Sequence, residues 1–379
     1  MPHEPIYDLA IIGGGLAGLS LSVQVAKAGH TVILFEKETY PFHRVCGEYI
    51  SNESWNFLQS LGVDLDALGV AHIKKLNVSA CNGKLFKQEL PQGGFGISRY
   101  LLDHTLAQIA KDAGVILMEG TRVNESRFSA DEFIIETTKG NFRAKVAAGS
   151  FGKRSNLDVK WKRSFLSSKK NKLNNYVGIK YHIRYNFPDD TIALHNFKNG
   201  YCGISKVENN EYCFCYMTNA DNLRQSGNDI KKMEQTILSA NPHLKKIFSE
   251  CEMLWKEPVT ISQISFDKKE LVKDHVLMVG DAAGMITPLC GNGMSMALHA
   301  GKIAAKSIDD FIKGTISREL MEQNYSLAWT QLFSNRLKTG RMIQASFGSK
   351  WLSNLLVSIC KIFPGLAKAL IKQTHGRPF

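Results

Sequence analysis

Two glycine-rich loops and an acid near each of them hold the chemistry this sequence can support. Gly13, Gly15 and Gly18 stand in G-x-G-x-x-G register, and Glu36 follows at the end of the next apolar run. The first glycine permits a sharp turn, the second lets backbone approach a pyrophosphate, and the third lets a helix pack closely on the preceding strand. Bare N–H groups at that helix start, around Leu16 and Ala17, favour anionic oxygens. Glu36, with Lys37 beside it, can accept from both hydroxyls of an adenosine ribose and repels a 2′-phosphate, which selects FAD or NAD over NADP. Far along the chain, Asp281 ends another apolar run, where it either holds a ribityl hydroxyl or caps a helix. Gly291, Asn292, Gly293 and Met294 then offer further bare N–H groups. Arg44 can reach a phosphate or ribose, and Cys46 and Cys290 lie in the loops expected beside a cofactor. Each cysteine reads either as small-residue packing or as a redox or proton-transfer group.

These residues need a scaffold, and the apolar patterning supplies one. Leu9–Ile12 and Thr31–Phe35 read as buried parallel strands on either side of a helix from Leu16 to Ala28. An amphipathic segment runs from Ser51 to Leu61, and Asn82-Gly83 joins two strands, Lys74–Ala80 and Lys84–Leu90. Gly93–Gly96 leads through Ser98 and Arg99 into a helix, followed by a strand at Val115–Met118 and a hairpin around Lys139-Gly140. Lys160–Lys172 is strongly basic and reads as a solvated connection. Residues 177–185, 191–197, 200–207 and 212–218 look like an antiparallel sheet laid over the nucleotide unit. Tyr181, His182 and His195 sit on that sheet, where ordinary structural roles compete with facing a substrate. Asp229–Ala240 is helical, Pro242 interrupts, and Val259–Ser265 returns as a strand.

With 379 residues the chain can build two cores, and its formal charge of +12 is concentrated late. No Asp or Glu follows Glu322, so an anionic surface is the expected neighbour of the C-terminal region. Nucleic acid is disfavoured, because the aromatics there sit among leucines rather than arginines. The eight cysteines show no paired C-x-x-C and no iron–sulfur run, so no metal is expected. No secretion signal or transmembrane span is read, which points to the cytoplasm.

Taken together, Gly13 to Glu36, Arg99 with its helix, and Gly280-Asp281 through Gly293 resemble the FAD-dependent oxidoreductases that include para-hydroxybenzoate hydroxylase, the flavin halogenases and the geranylgeranyl reductases. The P-x-H-R-x-C-G stretch at 41 to 47 is most like the geranylgeranyl reductase branch, where the Cys-Gly pair lies beside the flavin ring. The resemblance implies an α/β fold: a Rossmann-like FAD domain (1–75, 98–155, 266–310), an inserted antiparallel β-sheet substrate domain (76–97, 156–265), and a basic helical C-terminus (311–379). It implies that Gly13, Gly15 and Ala17 line the pyrophosphate and Glu36 the adenosine ribose. Arg44 and Arg99 then reach the phosphate and ribityl region, Asp281 the ribityl chain or pyrophosphate, and Gly291 to Met294 the pyrimidine edge of the flavin.

The run Ala147 to Ser155 carries alanine where the family often has an Asp-Gly pair, and no second G-x-G-x-x-G appears. NADH or NADPH is therefore expected only as a transient donor. Neither the halogenase W-x-W-x-I-P run nor an aromatic substrate motif of the prenyl reductases is present, so halogenation is disfavoured and the substrate branch stays open. The favoured reaction is hydroxylation of a lipophilic aromatic or polyketide-like molecule. Reduction of carbon–carbon double bonds in a prenyl or lipid chain is the alternative, and a flavin-binding protein without turnover is the rival of another class. Trp351, Leu352, Leu355, Leu356, Ile359, Ile362 and Phe363 recur at helical spacing in the tail. That face either packs on the protein body or rests in a lipid headgroup layer through residues 348–379.

Overall fold

The computed structural model describes residues 5–166, 175–346 and 350–379. Its first sheet grows from Ile6–Ile12, in which Leu9, Ala10 and Ile11 are fully buried, as a parallel strand covered on both faces requires. Across the sheet the order is Val272–Lys273, Val276–Met278, Gly140–Gly149, Ile6–Ile12, Val32–Phe35, Ile116–Met118, and the pairings from Val276–Met278 onward are parallel. Gly140–Gly149 serves twice, parallel to Ile6–Ile12 and antiparallel to the hairpin strand Glu132–Thr137. Ile12 lies opposite both Phe35 and Gly149, and Gly149 opposite Met278. The four strands therefore finish level, delivering Gly13, Glu36, Ser150 and Val279 to one edge, the carboxyl edge where open α/β sheets bind ligands.

Two helices open at that edge, Leu16–Lys27 and Gly293–Ile312, and they pack along one another. Gly301 permits the close approach, since a Cβ there would meet the Ser20 hydroxyl and lie 2.9 Å from the Ala17 carbonyl oxygen. Gly18 plays the same part against the first sheet, where a Cβ would strike the Gly13 carbonyl and Ser150 Oγ.

The second sheet runs Glu252–Met253, Tyr176–Arg184, Tyr212–Asn219, Gly200–Lys206, Thr191–Phe197, Ala71–Ser79, Leu85–Gly96, Tyr49–Ser51, with Val259–Ile264 also on Tyr176–Arg184. It is antiparallel except where Thr191–Phe197 meets Ala71–Ser79. Tyr49–Ser51 and the start of Ala71–Ser79 come from the stretch assigned above to the first domain. On one face, Ile179, Tyr181, Phe214 and Tyr216 pack with Met233, Leu244 and Ile247 from the covering helices. Strand alternation turns Lys180, His182, Cys213 and Cys215 to the other face, toward the first domain.

Several expectations need correction. The strand expected to end at Leu90 runs on through Gly93–Gly96, paired there with both Tyr49–Ser51 and Ala71–Ser79. Pro242 starts a helix, Pro242–Glu250, in the first-turn position where a missing N–H costs nothing. The helix expected over Asp229–Ala240 divides into Ile230–Thr236 and a tight turn at Leu238–Ala240. The basic connection is not uniformly solvated: Arg163 is fully buried, donating to Asp158 at 2.8 Å and to the Ala282 carbonyl at 3.0 Å. Residues 167–172 of that stretch lie outside the described residues.

After the long helix Arg318–Ser346 come Lys350–Ile362 and Pro364–Thr374. Their small core, Val357, Cys360 and Ala367 with Val78, Ala80 and Phe86, is separate from the main one. Gly301→Val should cost roughly 1–3 kcal/mol by overpacking the contact between the two edge helices. Thermal unfolding of the variant checks this, and an unchanged midpoint would show that the approach is not tight.

Candidate cofactor and substrate cavity

The level strand ends and the two helix starts enclose one cavity of about 1100 Å³, which continues between the sheets to the C-terminal helices. This is at or beyond the roughly 300–1,000 Å³ of a pocket for one small ligand. Gly13, Gly15, Leu16, Ala17, Glu36, Lys37, Arg44, Cys46, Arg99, Asp281, Gly291, Gly293 and Met294 all line it. Two regions more than 250 residues apart in the chain thus meet, as the sequence reading requires.

Neither helix start carries a side-chain cap. Gly15 caps Leu16–Lys27 and Asn292 caps Gly293–Ile312 with backbone only. A Cβ on Gly15 would meet nothing nearer than an Arg99 nitrogen at 3.8 Å, so the backbone there is open to a ligand. Two uncapped helix N-termini facing one cavity suit a dianionic pyrophosphate and an electron-rich ring edge. The residues present fit a dinucleotide.

Around the first cradle the charges are fixed by one another. Glu36 accepts from the Gly14 N–H at 2.9 Å, the Glu38 N–H at 3.1 Å and Arg44 at 2.9 Å. About one of its four acceptor positions therefore stays open, rather than the two that a pair of ribose hydroxyls needs. Asp103, which the sequence reading missed, takes both Arg99 nitrogens at 2.7 and 2.8 Å and Arg44 Nε at 3.1 Å. It lies one helical turn beyond Arg99, the i,i+4 spacing that was legible but unused.

Asp281 sits within a short turn and caps no helix. Burial raises its carboxyl above the usual range, although Lys269, Arg99 and Lys153 pull it back. Lys153 and Arg154 also line the cavity, so this run brings cations to it a few residues beyond the alanine that replaces the family's acid. Asn292 does not line the cavity: fully buried, it donates to the Thr374 carbonyl at 2.8 Å and so holds the end of the tail. The side chain of Cys290 lies outside the described residues.

The loop carrying Cys46 is bolted to the second sheet. Ser205 Oγ donates to the Gly47 carbonyl at 3.1 Å and Cys213 Sγ to the Cys46 carbonyl at 3.2 Å. Glu48, fully buried in left-handed backbone at φ 53, accepts from Lys180, from the Arg99 N–H at 2.7 Å and from His182 Nε2 at 2.7 Å. His182 also meets Glu211 at 3.1 Å and stacks on Trp255 at 4.6 Å. Burial alone would raise the Glu48 carboxyl, but the Lys180 charge and the His182 hydrogen bond hold it at about 2. Glu48, His182 and Cys213 lie close enough to ligate a metal, yet the Lys180 ammonium already balances that carboxylate. Burial also raises the Cys46 thiol, with Arg99 opposing and Glu48 adding to the shift, so sulfur stays protonated at neutral pH.

Of the three sheet residues weighed above, none lines the cavity. Tyr181 donates to Glu234 at 3.0 Å, and His195 is buried against Ser79 at 2.9 Å with its basicity lowered by burial to about 3. Both are structural. Leu356, Val357, Cys360, Leu370 and Ile371 instead roof the cavity from the tail, and Leu76, Val78, Ile192 and Leu194 form its aliphatic wall.

A family model described as FAD binding domain matches residues 7–328. The chain belongs to that family. It is an FAD-dependent oxidoreductase of Rossmann-type α/β architecture. Among named relatives, conditioned medium factor receptor 1 of Dictyostelium discoideum is 24% identical over 362 residues, covering 88% of this chain and 69% of that one. Digeranylgeranylglycerophospholipid reductase 2 of Methanosphaera stadtmanae is 22% identical over 352 residues, covering 84% and 82%. The solved structure of the flavin-dependent brominase Bmp2 superposes with a TM-score of 0.79 at 19% identity, covering 98% of this chain and 93% of that one, a likeness of fold.

Replacing Glu48 by Gln should leave Lys180 buried without a counter-charge, at a cost of roughly 3–5 kcal/mol at neutral pH. In the native protein the Glu48 contribution is complete above its ordinary value of 4.5 and is lost as pH falls toward about 2. Denaturant unfolding should therefore show the gap between native protein and Glu48→Gln narrowing through that acid window. A gap that does not change with pH would refute the assignment.

Proposed function

We propose that this oxidoreductase reduces carbon–carbon double bonds in a prenyl or other long lipid chain. The observation that carries the reading is the aliphatic continuation of the cofactor cavity, walled by Val78, Ile192 and Leu194 and roofed by Leu356, Val357 and Leu370. A flexible hydrocarbon fills such a space by apolar burial, at about 25 cal/mol per Å² removed from water. The relative named as a digeranylgeranylglycerophospholipid reductase and the Cys46-Gly47 loop support the same substrate class.

In this reading Gly13, Gly15, Leu16 and Ala17 hold the FAD pyrophosphate, and Glu36, with Lys37 beside it, takes one hydroxyl of the adenosine ribose on its remaining acceptor position. Arg44 and Arg99 balance the phosphate and ribityl region through Asp103, and Asp281 takes the ribityl side. Gly291, Gly293 and Met294 lie along the ring, with Asn292 fixing that loop from behind. FAD, when bound and reduced, supplies a hydride to one carbon of the double bond. Cys46 Sγ, kept protonated by burial on the cavity wall, supplies the proton to the other. The aliphatic wall excludes water. NADH or NADPH serves as transient donor, with Lys153 and Arg154 offering positive charge at the rim.

Under anaerobic conditions, dithionite-reduced holoprotein given a geranylgeranyl glycerophospholipid should yield product heavier by two hydrogens per reduced bond, read by mass spectrometry. Cys46→Ala should slow this by roughly 10²–10⁴-fold without loss of bound FAD. Stoichiometric oxygen uptake with product selects instead the hydroxylation favoured by the sequence, and no anaerobic turnover ends the reductase reading.

A further inference from the structure

We infer that the outer face of the helix pair Lys350–Ile362 and Pro364–Thr374 is a docking surface for anionic lipid. The inference rests on exposure and charge, not on the reaction proposed above. The pair is apolar on two sides. Its inner side is buried on the body through Val357, Cys360 and Ala367. Its outer side presents Trp351 at 70% exposure, Ile362 at 69% and Phe363 at 63%, with Leu355 and Leu366 each at 42%. Large aromatic and aliphatic side chains left together in water mark an interaction surface.

The geometry fits a bilayer surface rather than a span. Among the described residues no single helix is long and apolar enough to cross a membrane, and the two helices are bent by 113° at their junction. Crossing would also strip the inner face from the sheet residues it covers. Lying flat, the pair keeps that contact and immerses only the outer side chains. Trp351 suits the headgroup layer, where an amphipathic ring is favoured.

Charge selects the lipid and disfavours a second copy of the chain. The sequence has no acid after Glu322, and Lys361, Lys368 and Lys372 are exposed on these helices. Two copies joined through this face would bring like charges together, whereas an anionic leaflet attracts each lysine. The roof of the cavity is therefore also the part of the protein set against the lipid.

The test uses full-length holoprotein and vesicle flotation. Wild type should float with vesicles of phosphatidylcholine and phosphatidylglycerol, less so in high salt, and brominated lipid should quench a Trp fluorescence component that Trp351→Phe removes. The double variant Trp351→Glu with Phe363→Glu should stay at the bottom while keeping its FAD absorbance and thermal midpoint. The triple variant Lys361→Gln, Lys368→Gln and Lys372→Gln should bind the anionic vesicles roughly a hundredfold more weakly. Wild type that fails to float, flotation unchanged in the double variant, or a wild-type dimer that the double variant dissolves without any vesicle binding would each overturn the inference. Turnover of detergent-dispersed substrate is measured separately, so a failed reaction and a failed surface are told apart.

Discussion

The close approach of the helices Leu16–Lys27 and Gly293–Ile312 is the constraint from which the rest of the site follows. A cofactor held at both ends needs two cradles at a fixed separation, and separate loops would drift by more than binding tolerates. Here the separation is set by backbone. Gly301 lets one helix sit against Ser20 and Ala17 of the other, and Gly280 brings the Asp281 turn within reach of Ala17, where a Cβ would lie 2.9 Å from the Ala17 methyl. Because both helices leave the same edge of one sheet, their bare N–H groups point into one cavity without any capping side chain in between. The electrostatic preference for anionic oxygens is built into the fold before any side chain contributes.

A second constraint fixes the far wall. Glu48 gathers Lys180 and His182 from one strand and the Arg99 N–H from a helix start, and Ser205 and Cys213 hold the carbonyls just before it. Such a cluster is a poor source of net stability, since desolvating both charges offsets most of their attraction. Its value is geometric: every strong donor around the carboxylate must be in place, or a buried charge is left alone. The Cys46-Gly47 segment therefore cannot shift relative to the second sheet without breaking several bonds together. The same burial that makes the cluster expensive keeps the neighbouring thiol protonated.

What could be seen in the sequence was local. The strand, glycines, helix, strand and Glu36 lie within about one βαβ unit, and each residue type answers to a backbone need that spacing alone reveals. Glu48 offered no such signal, because Lys180 and His182 lie 132 and 134 residues away and only the sheet brings them opposite. Alternation along Tyr176–Arg184 did separate His182 from Tyr181, but the pattern cannot say which face looks inward. Asn292 sits among residues that line the cavity and yet turns away, a choice made by the tail carbonyl of Thr374. The double pairing of Gly140–Gly149 was hidden for the same reason: its hairpin partner is adjacent in sequence and its parallel partner is not.

The tail joins these constraints to access. Its inner face belongs to a small core of its own, apart from the one that holds the two cradle helices. Opening a segment costs the contacts it makes, so a roof with a separate core can lift for much less than the free energy of global unfolding. It is tied at its end by Asn292 to Thr374 and by the stacking of Phe379 on His299 at 3.9 Å. Its beginning is tied as well, where Ser353, almost fully buried, meets Cys81 Sγ at 3.4 Å in the turn between Ala71–Ser79 and Leu85–Gly96. The leading helix covers the aliphatic part of the cavity, and its packing is independent of the helices that form the glycine cradles. The wall of the cavity that the tail supplies and the two helices that open at the strand edge are thus held by different sets of contacts, so a change in one need not disturb the other.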